Sequence, residues 1–296
     1  MVIKRAGFED REHIFKIWNI CFTDDETYIN NYLDYCFPET TTWLLGENSD
    51  EFCSVLSIIP SLFIEKGQVI NGGYLYGVGT LPTHRGKSYS KILMNHAVEA
   101  AKNEGLSYIL VKPAEESLFT LYKNSGFDKE IYSGFTIITQ SAEHIPAQKI
   151  LLESLTFEKF LAFRERSMAD YIYLWPEKIL KYAWNEIMQR EGIALNTPGK
   201  ESYFIGYPSE INGETLFSTL ETNTTDAPER ESFISNIQNS TKNISGISFE
   251  TPLLCPSDLY SDLKFPQNQK LSALFMELKP GTWEKANSRL LSLPME

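Results

Sequence analysis

Residues Arg85-Gly86-Lys87-Ser88-Tyr89-Ser90 place two cations and a glycine beside two serines within six positions. They sit where a strand hands over to a helix. Tyr74, Tyr76 and Val78 share one strand parity, with Leu75, Gly77 and Gly79 on the other. After the loop, Leu93, Met94, Ala97, Val98 and Ala101 recur at helical spacing, and Gly105 is placed to end the helix. The first N–H groups of such a helix have no intrahelical partner and point at whatever lies in front of them. An anion is the natural occupant, and a pair of phosphates suits the loop best.

At these residues the chain resembles the GCN5-related N-acetyltransferase (GNAT) superfamily, whose pyrophosphate loop reads Q/R-x-x-G-x-G/A. Ser90 stands where that family allows Gly or Ala. Ser88 stands where Gly is usual, so its side chain is expected to crowd the phosphate while its hydroxyl offers a donor. A second segment, LYKNSGF at Leu121–Phe127, resembles the family's (F/L)Y-x-x-x-GF motif. The resemblance implies an α/β acetyltransferase fold over roughly residues 1–139, with acetyl-CoA as co-substrate. It further implies that the backbone of Val78, Gly79 and Thr80 pairs with the pantetheine arm where two strands splay, and that Arg85, Gly86, Lys87, Ser88, Tyr89 and Ser90 hold the pyrophosphate. Tyr122 would protonate the leaving thiolate. Gly77 and Gly79 independently fit a bulge or a close backbone approach.

The elements that must position these residues follow from periodicity. Val2–Ala6 reads as a strand, and Ile14, Ile17, Trp18 and Cys21 mark a helix. A second helix starts near Asp24, with Tyr28, Ile29, Tyr32, Leu33 and Cys36 along one stripe. Thr42–Leu45 and Cys53–Phe63 read as strands about the polar turn GENSDE. Tyr108–Val111, a short helix over Glu115–Lys123 and the strand Ile131–Thr139 complete the first half. A polar linker around 141–148 suggests a division into a catalytic unit, 1–142, and a second unit, 150–296. There, helices over Thr156–Met168 and Pro176–Arg190 precede strands at Ile193–Asn196, Ser202–Tyr207 and Glu214–Leu220. A helix near Glu229–Ile237 and a strand near Ile244–Glu250 repeat the order of the first half. The second unit is therefore expected to be a degenerate copy. Its ETNTTDAPER segment puts Asp and Glu where phosphates need donors, so it should not bind CoA. An alternating run, Leu271–Leu278, and an apolar run, Leu290–Pro294, follow. One active and one inactive copy in tandem resembles the Eis-like (enhanced intracellular survival) branch, although the chain is short for that branch's additional C-terminal domain.

That branch resemblance suggests the chain's terminal carboxylate, on Glu296, as general base; a base acting through a water chain is equally open. Glu115 and Glu116 read better as solvated carboxylates at a helix start. His84 reads as a loop donor or a solvent-facing group. His13, His96 and His144 are scattered, and neither a metal site nor a nucleophilic triad is legible. The four cysteines, 21, 36, 53 and 255, lack metal or redox spacing and read as reduced core thiols. With 296 residues, 42% hydrophobic, no apolar stretch of spanning length and no signal-type N-terminus, a two-domain cytoplasmic protein is expected. A net charge of −12 weighs against nucleic acid or anionic membrane as partner and suits a cationic amine. The reading is an N-acetyltransferase acting on a primary amine by direct transfer in a ternary complex. Its rivals are a non-catalytic acyl-CoA-binding module and an aminoacyl-tRNA-dependent transferase.

Overall fold

A computed structural model describes residues 1–22, 24–49, 51–139, 150–211, 213–224, 226–241, 243–252, 268–287, 289 and 291. The expected linker, Cys255, His144, most of the apolar run 290–294 and the candidate base Glu296 lie outside these residues. The first half runs β1 (Val2–Arg5), α1 (Arg11–Cys21), α2 (Glu26–Asn31), β2 (Thr41–Gly46), β3 (Phe52–Glu65), β4 (Gln68–Thr80), α3 (Tyr89–Asn103), β5 (Tyr108–Val111), α4 (Glu116–Lys123) and β6 (Lys129–Thr139). The second runs β7 (Glu153–Ser154), α5 (Phe157–Met168), α6 (Glu177–Gln189), β8 (Ile193–Asn196), β9 (Tyr203–Ile211), β10 (Glu214–Thr222), α7 (Ala227–Ser240), β11 (Gly246–Pro252), β12 (Asn268–Glu277) and α8 (Trp283–Ala286). Both halves thus show a strand, two helices, three strands, a helix and a strand. Pro176, expected at the first position of its helix, caps it instead.

The strands form one mixed sheet of order β1-β2-β3-β4-β5-β12-β6-β11-β10-β9-β8-β7. Pairing is parallel at β4–β5 and β10–β11 and antiparallel elsewhere. One strand crosses between the halves: β12 lies between β5 and β6, with Leu274 opposite Val111 on one side and opposite Glu130 on the other. Leu271–Leu278 alternates as a strand should, but its neighbours come from the far end of the chain.

Two apolar layers cover the first half. On one face Leu93, Met94, Ala97, Val98 and Ala101 of α3 are all buried against Leu56, Leu75, Ile109 and Leu274. The leucine, methionine and valine side chains each contribute about 2 kcal/mol through the area they remove from water. On the other face Ile14, Ile17 and Trp18 of α1 and Tyr28 and Tyr32 meet Tyr76 of β4 and Tyr182 of α6 in one core, which therefore joins the halves. The turn between β3 and β4 uses Lys66 and Gly67, both at positive φ, and the strands pair in continuous register from Glu65–Gln68 back to Ser57–Tyr76.

Candidate active site

The site is made where β4 leaves β5. The two strands pair at Gly73–Ile109 and Tyr74–Leu110, and among the described residues no pairing continues beyond them. From Tyr76 to Thr80, then, β4 presents backbone along an open edge. A bulge marks the divergence: Val55 faces Gly79 and Ser57 faces Tyr76, so two residues of β4 oppose Leu56 alone. Gly77 takes φ +58°, and a Cβ there would lie 2.6 Å from Cζ2 of Trp18. Gly79 is crowded differently, with a Cβ meeting Phe22 and Cys21 at 3.1–3.4 Å. Both glycines expected to serve the strand's irregularity do so. The end of β4 is pinned by Ser54, whose Oγ donates to the Gly79 carbonyl at 2.9 Å.

Beyond Thr80 the chain makes a single 3-10 turn, Pro82–His84, and then the loop that opens α3. Gly86 and Ser88 both lie in the left-handed region, at φ +80° and +61°, on either side of Lys87. Gly86 has open space around its α-carbon, so its backbone angle alone explains the glycine. Ser88 makes no capping bond with its side chain. The demand for glycine at this position is thus conformational: a left-handed non-glycine residue costs about 1 kcal/mol, besides any crowding of a ligand. The loop is exposed from Arg85 to Ser88. Arg85 Nε donates to the Thr80 carbonyl at 3.2 Å, tying the loop to the end of β4.

A carboxylate already faces this loop. Glu47, in the turn after β2, accepts from Lys87 Nζ at 2.7 Å and from Tyr89 Oη at 2.9 Å, with His84 Nε2 at 3.9 Å. The hydrogen bond from Lys87, then that from Tyr89, holds the Glu47 carboxyl below its ordinary range. Nothing local to the polar turn GENSDE shows what Glu47 faces. Cys21, read as a core thiol, is half-buried beside Gly79, and burial pushes its thiol up against the opposing effect of Arg85.

Tyr122 sits on α4 in the apolar cluster against which Val78 and Tyr89 are also packed. It is 6% exposed and packs edge-on against Phe127 at 5.9 Å, and its hydroxyl makes no hydrogen bond among the described residues. Burial pushes its phenol up to about 12. Glu115 and Glu116 are exposed at the start of α4, as expected of solvated carboxylates. His13 and His96 pack edge-on to Phe52 and Trp43. No cluster of His, Cys, Asp or Glu suited to a metal ion occurs among the described residues.

The second half has a counterpart of the loop, and it is filled from within. Asp226 immediately precedes α7 without a side-chain capping bond, and Lys200 Nζ reaches Glu229 at 2.7 Å and Asp226 at 3.2 Å. Burial alone would raise the Glu229 carboxyl. The ion pair with Lys200 and the hydrogen bond from Thr224 outweigh it and hold the group low. Two carboxylates thus stand at the helix N-terminus that would have to face an anion.

Residues 2–129 match the family model of the acetyltransferase (GNAT) domain. No curated protein matches the chain in sequence. Among solved structures, a GCN5-related N-acetyltransferase from Anabaena variabilis is similar at 16% identity and TM-score 0.71, over 94% of this chain and 73% of that one. A conserved Enterococcus faecalis protein of unknown function, by its name a probable N-acyltransferase, is similar at 12% identity and TM-score 0.75, over 95% and 73%. Eis1 from Mycobacterium abscessus is similar at 12% identity and TM-score 0.64, over 94% and 74%. At these identities the likeness is one of fold. The fold is that of the GNAT acetyltransferases, and it extends across both halves. No helix among the described residues is long and apolar enough to cross a membrane.

Proposed function

We propose that the chain is an N-acetyltransferase that moves an acetyl group from acetyl-CoA to a primary amine, with residues 1–142 as the catalytic unit and 150–296 as a GNAT-like unit on the acceptor side that lends β12 to the first. The observation that carries the reading is the loop 85–90. Two left-handed residues turn its backbone toward solvent at the N-terminus of a fifteen-residue helix, directly after a bulged strand with an open edge. Such a terminus suits a pyrophosphate, and the open edge of Val78, Gly79 and Thr80 suits the amide groups of a pantetheine arm. Tyr122 shares a cluster with Val78 and is assigned the proton given to the thiolate. The carboxylates at α7 oppose a second CoA site. The tandem copy supports an Eis-like organisation.

Calorimetric titration with acetyl-CoA tests the loop. The wild-type protein is expected to bind at micromolar concentration, and the double variant Arg85→Ala, Lys87→Ala to lose that binding. Equal binding by both would remove the loop from the site, and absence of binding by both would end the enzymatic reading.

The same titration measures Glu47. Its carboxylate neutralises Lys87 and must yield to a phosphate. Glu47→Gln is therefore expected to tighten acetyl-CoA by about fivefold, the scale of an exposed ion pair. Weaker binding by that variant would mean that Glu47 orients Lys87 toward the ligand instead of competing for it.

A further inference from the structure

The buried stripe of α3 changes character along the helix. It begins with Leu93 and Met94 and ends with Ala97, Val98 and Ala101, the two alanines only 1% and 3% exposed. The side chains between helix and sheet thus shrink toward the end of α3, and space remains beneath it. That space is a half-open cavity of about 130 Å³. Ala97, Ala100 and Ala101 line it from the helix, and Ile58 and Pro60 of β3 line it from the sheet. Protein interiors leave few voids larger than a water molecule, and an apolar cavity of about 150 Å³ can take up a benzene ring. The cavity is remote from the phosphate loop. Ala100 lies eleven residues beyond Tyr89, about 16 Å along the helix.

One wall of the cavity is aromatic and its rim is acidic. Trp43 of β2 lines it, held edge-on to His96 at 4.5 Å. Glu39, just before β2, and Glu104, just after α3, line it as well. Each carboxylate is paired through Oε1, Glu39 with Lys178 Nζ at 2.6 Å and Glu104 with Arg5 at 3.0 Å. Neither of these cations is among the lining residues. Arg5 has its other amino group on Thr41 Oγ1 at 2.8 Å, and the Lys178 side chain is 61% exposed. The cations therefore reach the carboxylates from outside, and neither Oε2 has a hydrogen-bond partner among the described residues. Exposed ion pairs of this kind hold their partners loosely. An anion here would meet two carboxylates and no lining cation. A neutral apolar molecule would leave both acceptor oxygens unused. A cation with a compact apolar body uses the aromatic wall, the apolar lining and the rim together.

We propose that the cavity beneath the end of α3 is a second ligand site, which takes a small organic ammonium ion whose apolar body is about the size of one six-membered ring. The body lies between the α3 alanines and Ile58, beside Trp43, and the ammonium N–H groups donate to Glu39 and Glu104. The site stands apart from the loop 85–90 in position and in charge, so it does not depend on the acyl-transfer reading. It touches both halves of the chain, because Lys178 of α6 holds Glu39.

The test is calorimetric titration of the full chain with benzylamine and, separately, with benzyl alcohol, in wild type, Ala100→Leu and Glu104→Gln. Thermal midpoints measured alongside establish that the variants are folded. Wild type is expected to bind benzylamine at about 0.1 mM, within what eight non-hydrogen atoms can supply. Ala100→Leu fills the space from the helix and should weaken binding by about tenfold or more. Glu104→Gln keeps the shape and should weaken it by about fivefold, the scale of an exposed ion pair, as should the alcohol in wild type. Undiminished binding of benzylamine by Ala100→Leu would put the amine elsewhere on the protein and overturn the proposal. Equal affinity for the alcohol and the amine would overturn the ammonium class and the roles of Glu39 and Glu104. Absence of binding at about 10 mM benzylamine would show that the space is a packing defect and no site. None of these readouts uses acetyl-CoA, so this proposal and the loop's assignment fail separately.

Discussion

Tyr122→Phe is expected to lower kcat for thiol release by about 10²- to 10⁴-fold, the range spanned by a single general acid, and to leave acetyl-CoA affinity unchanged. The substitution isolates the chemistry because the Tyr122 hydroxyl makes no hydrogen bond among the described residues. Its ring packing against Phe127 survives in a phenylalanine. Stability should stay within about 0.5 kcal/mol of wild type. Burial favours the neutral phenol and pushes it up to about 12. The proton is therefore present at every working pH, and the rate should show no alkaline fall from this group below that value. Such an acid is weak for a thiolate in water, but the same apolar cluster that raises the phenol raises the basicity of any anion brought beside it. Stopped-assay kinetics over a pH series would decide the matter. An unchanged kcat would return Tyr122 to the role of core aromatic.

Gly77→Ala should cost about 2–4 kcal/mol of stability, a sum of backbone strain and overpacking. The methyl would sit 2.6 Å from Trp18 Cζ2 and 3.2 Å from Cε2. The indole has nowhere to go. It is stacked on Tyr32 at 4.0 Å and meets Tyr76 edge-on at 5.6 Å and Phe22 at 5.4 Å. Gly67 provides the control. It has φ +76° in the β3–β4 turn with nothing near its α-carbon, so Gly67→Ala should show the strain alone, about 1 kcal/mol. Chemical denaturation of the two variants separates the two costs. Equal destabilisation would mean that the bulge accommodates a side chain and that Trp18 does not define it.

Much of this was legible in the chain. Tyr108–Val111 and Ile193–Asn196 are strands with the expected ends, and the stripe Leu93, Met94, Ala97, Val98, Ala101 is buried throughout, because one period per element decides both cases. Tyr74 and Tyr76 share a face as their spacing suggests, but the bulge turns Val78 to the face of Leu75. The partners of Tyr76 were not foreseen, since Tyr28 and Tyr182 reach it from helices whose packing no local pattern encodes. The motif around Ser88 suggests crowding alone, and the backbone angle adds a cost that a one-dimensional pattern hides. Leu271–Leu278 was recognised as an alternating run, yet alternation names a face and never a neighbour. Its insertion between β5 and β6 depends on pairings across most of the chain.

That insertion governs how the protein can be made. Synthesis proceeds from the N-terminus, so β5 and β6 leave the ribosome long before the strand that separates them. Until β12 arrives, the nascent chain carries two open strand edges next to an apolar layer that still lacks Leu274 and Met276, the condition that invites misassembly and aggregation. Contacts such as Leu274 with Val111 also give a high contact order, which slows the final closure. The first half cannot mature on its own schedule, and a ribosome stalled late in the message would release a chain with its sheet still split.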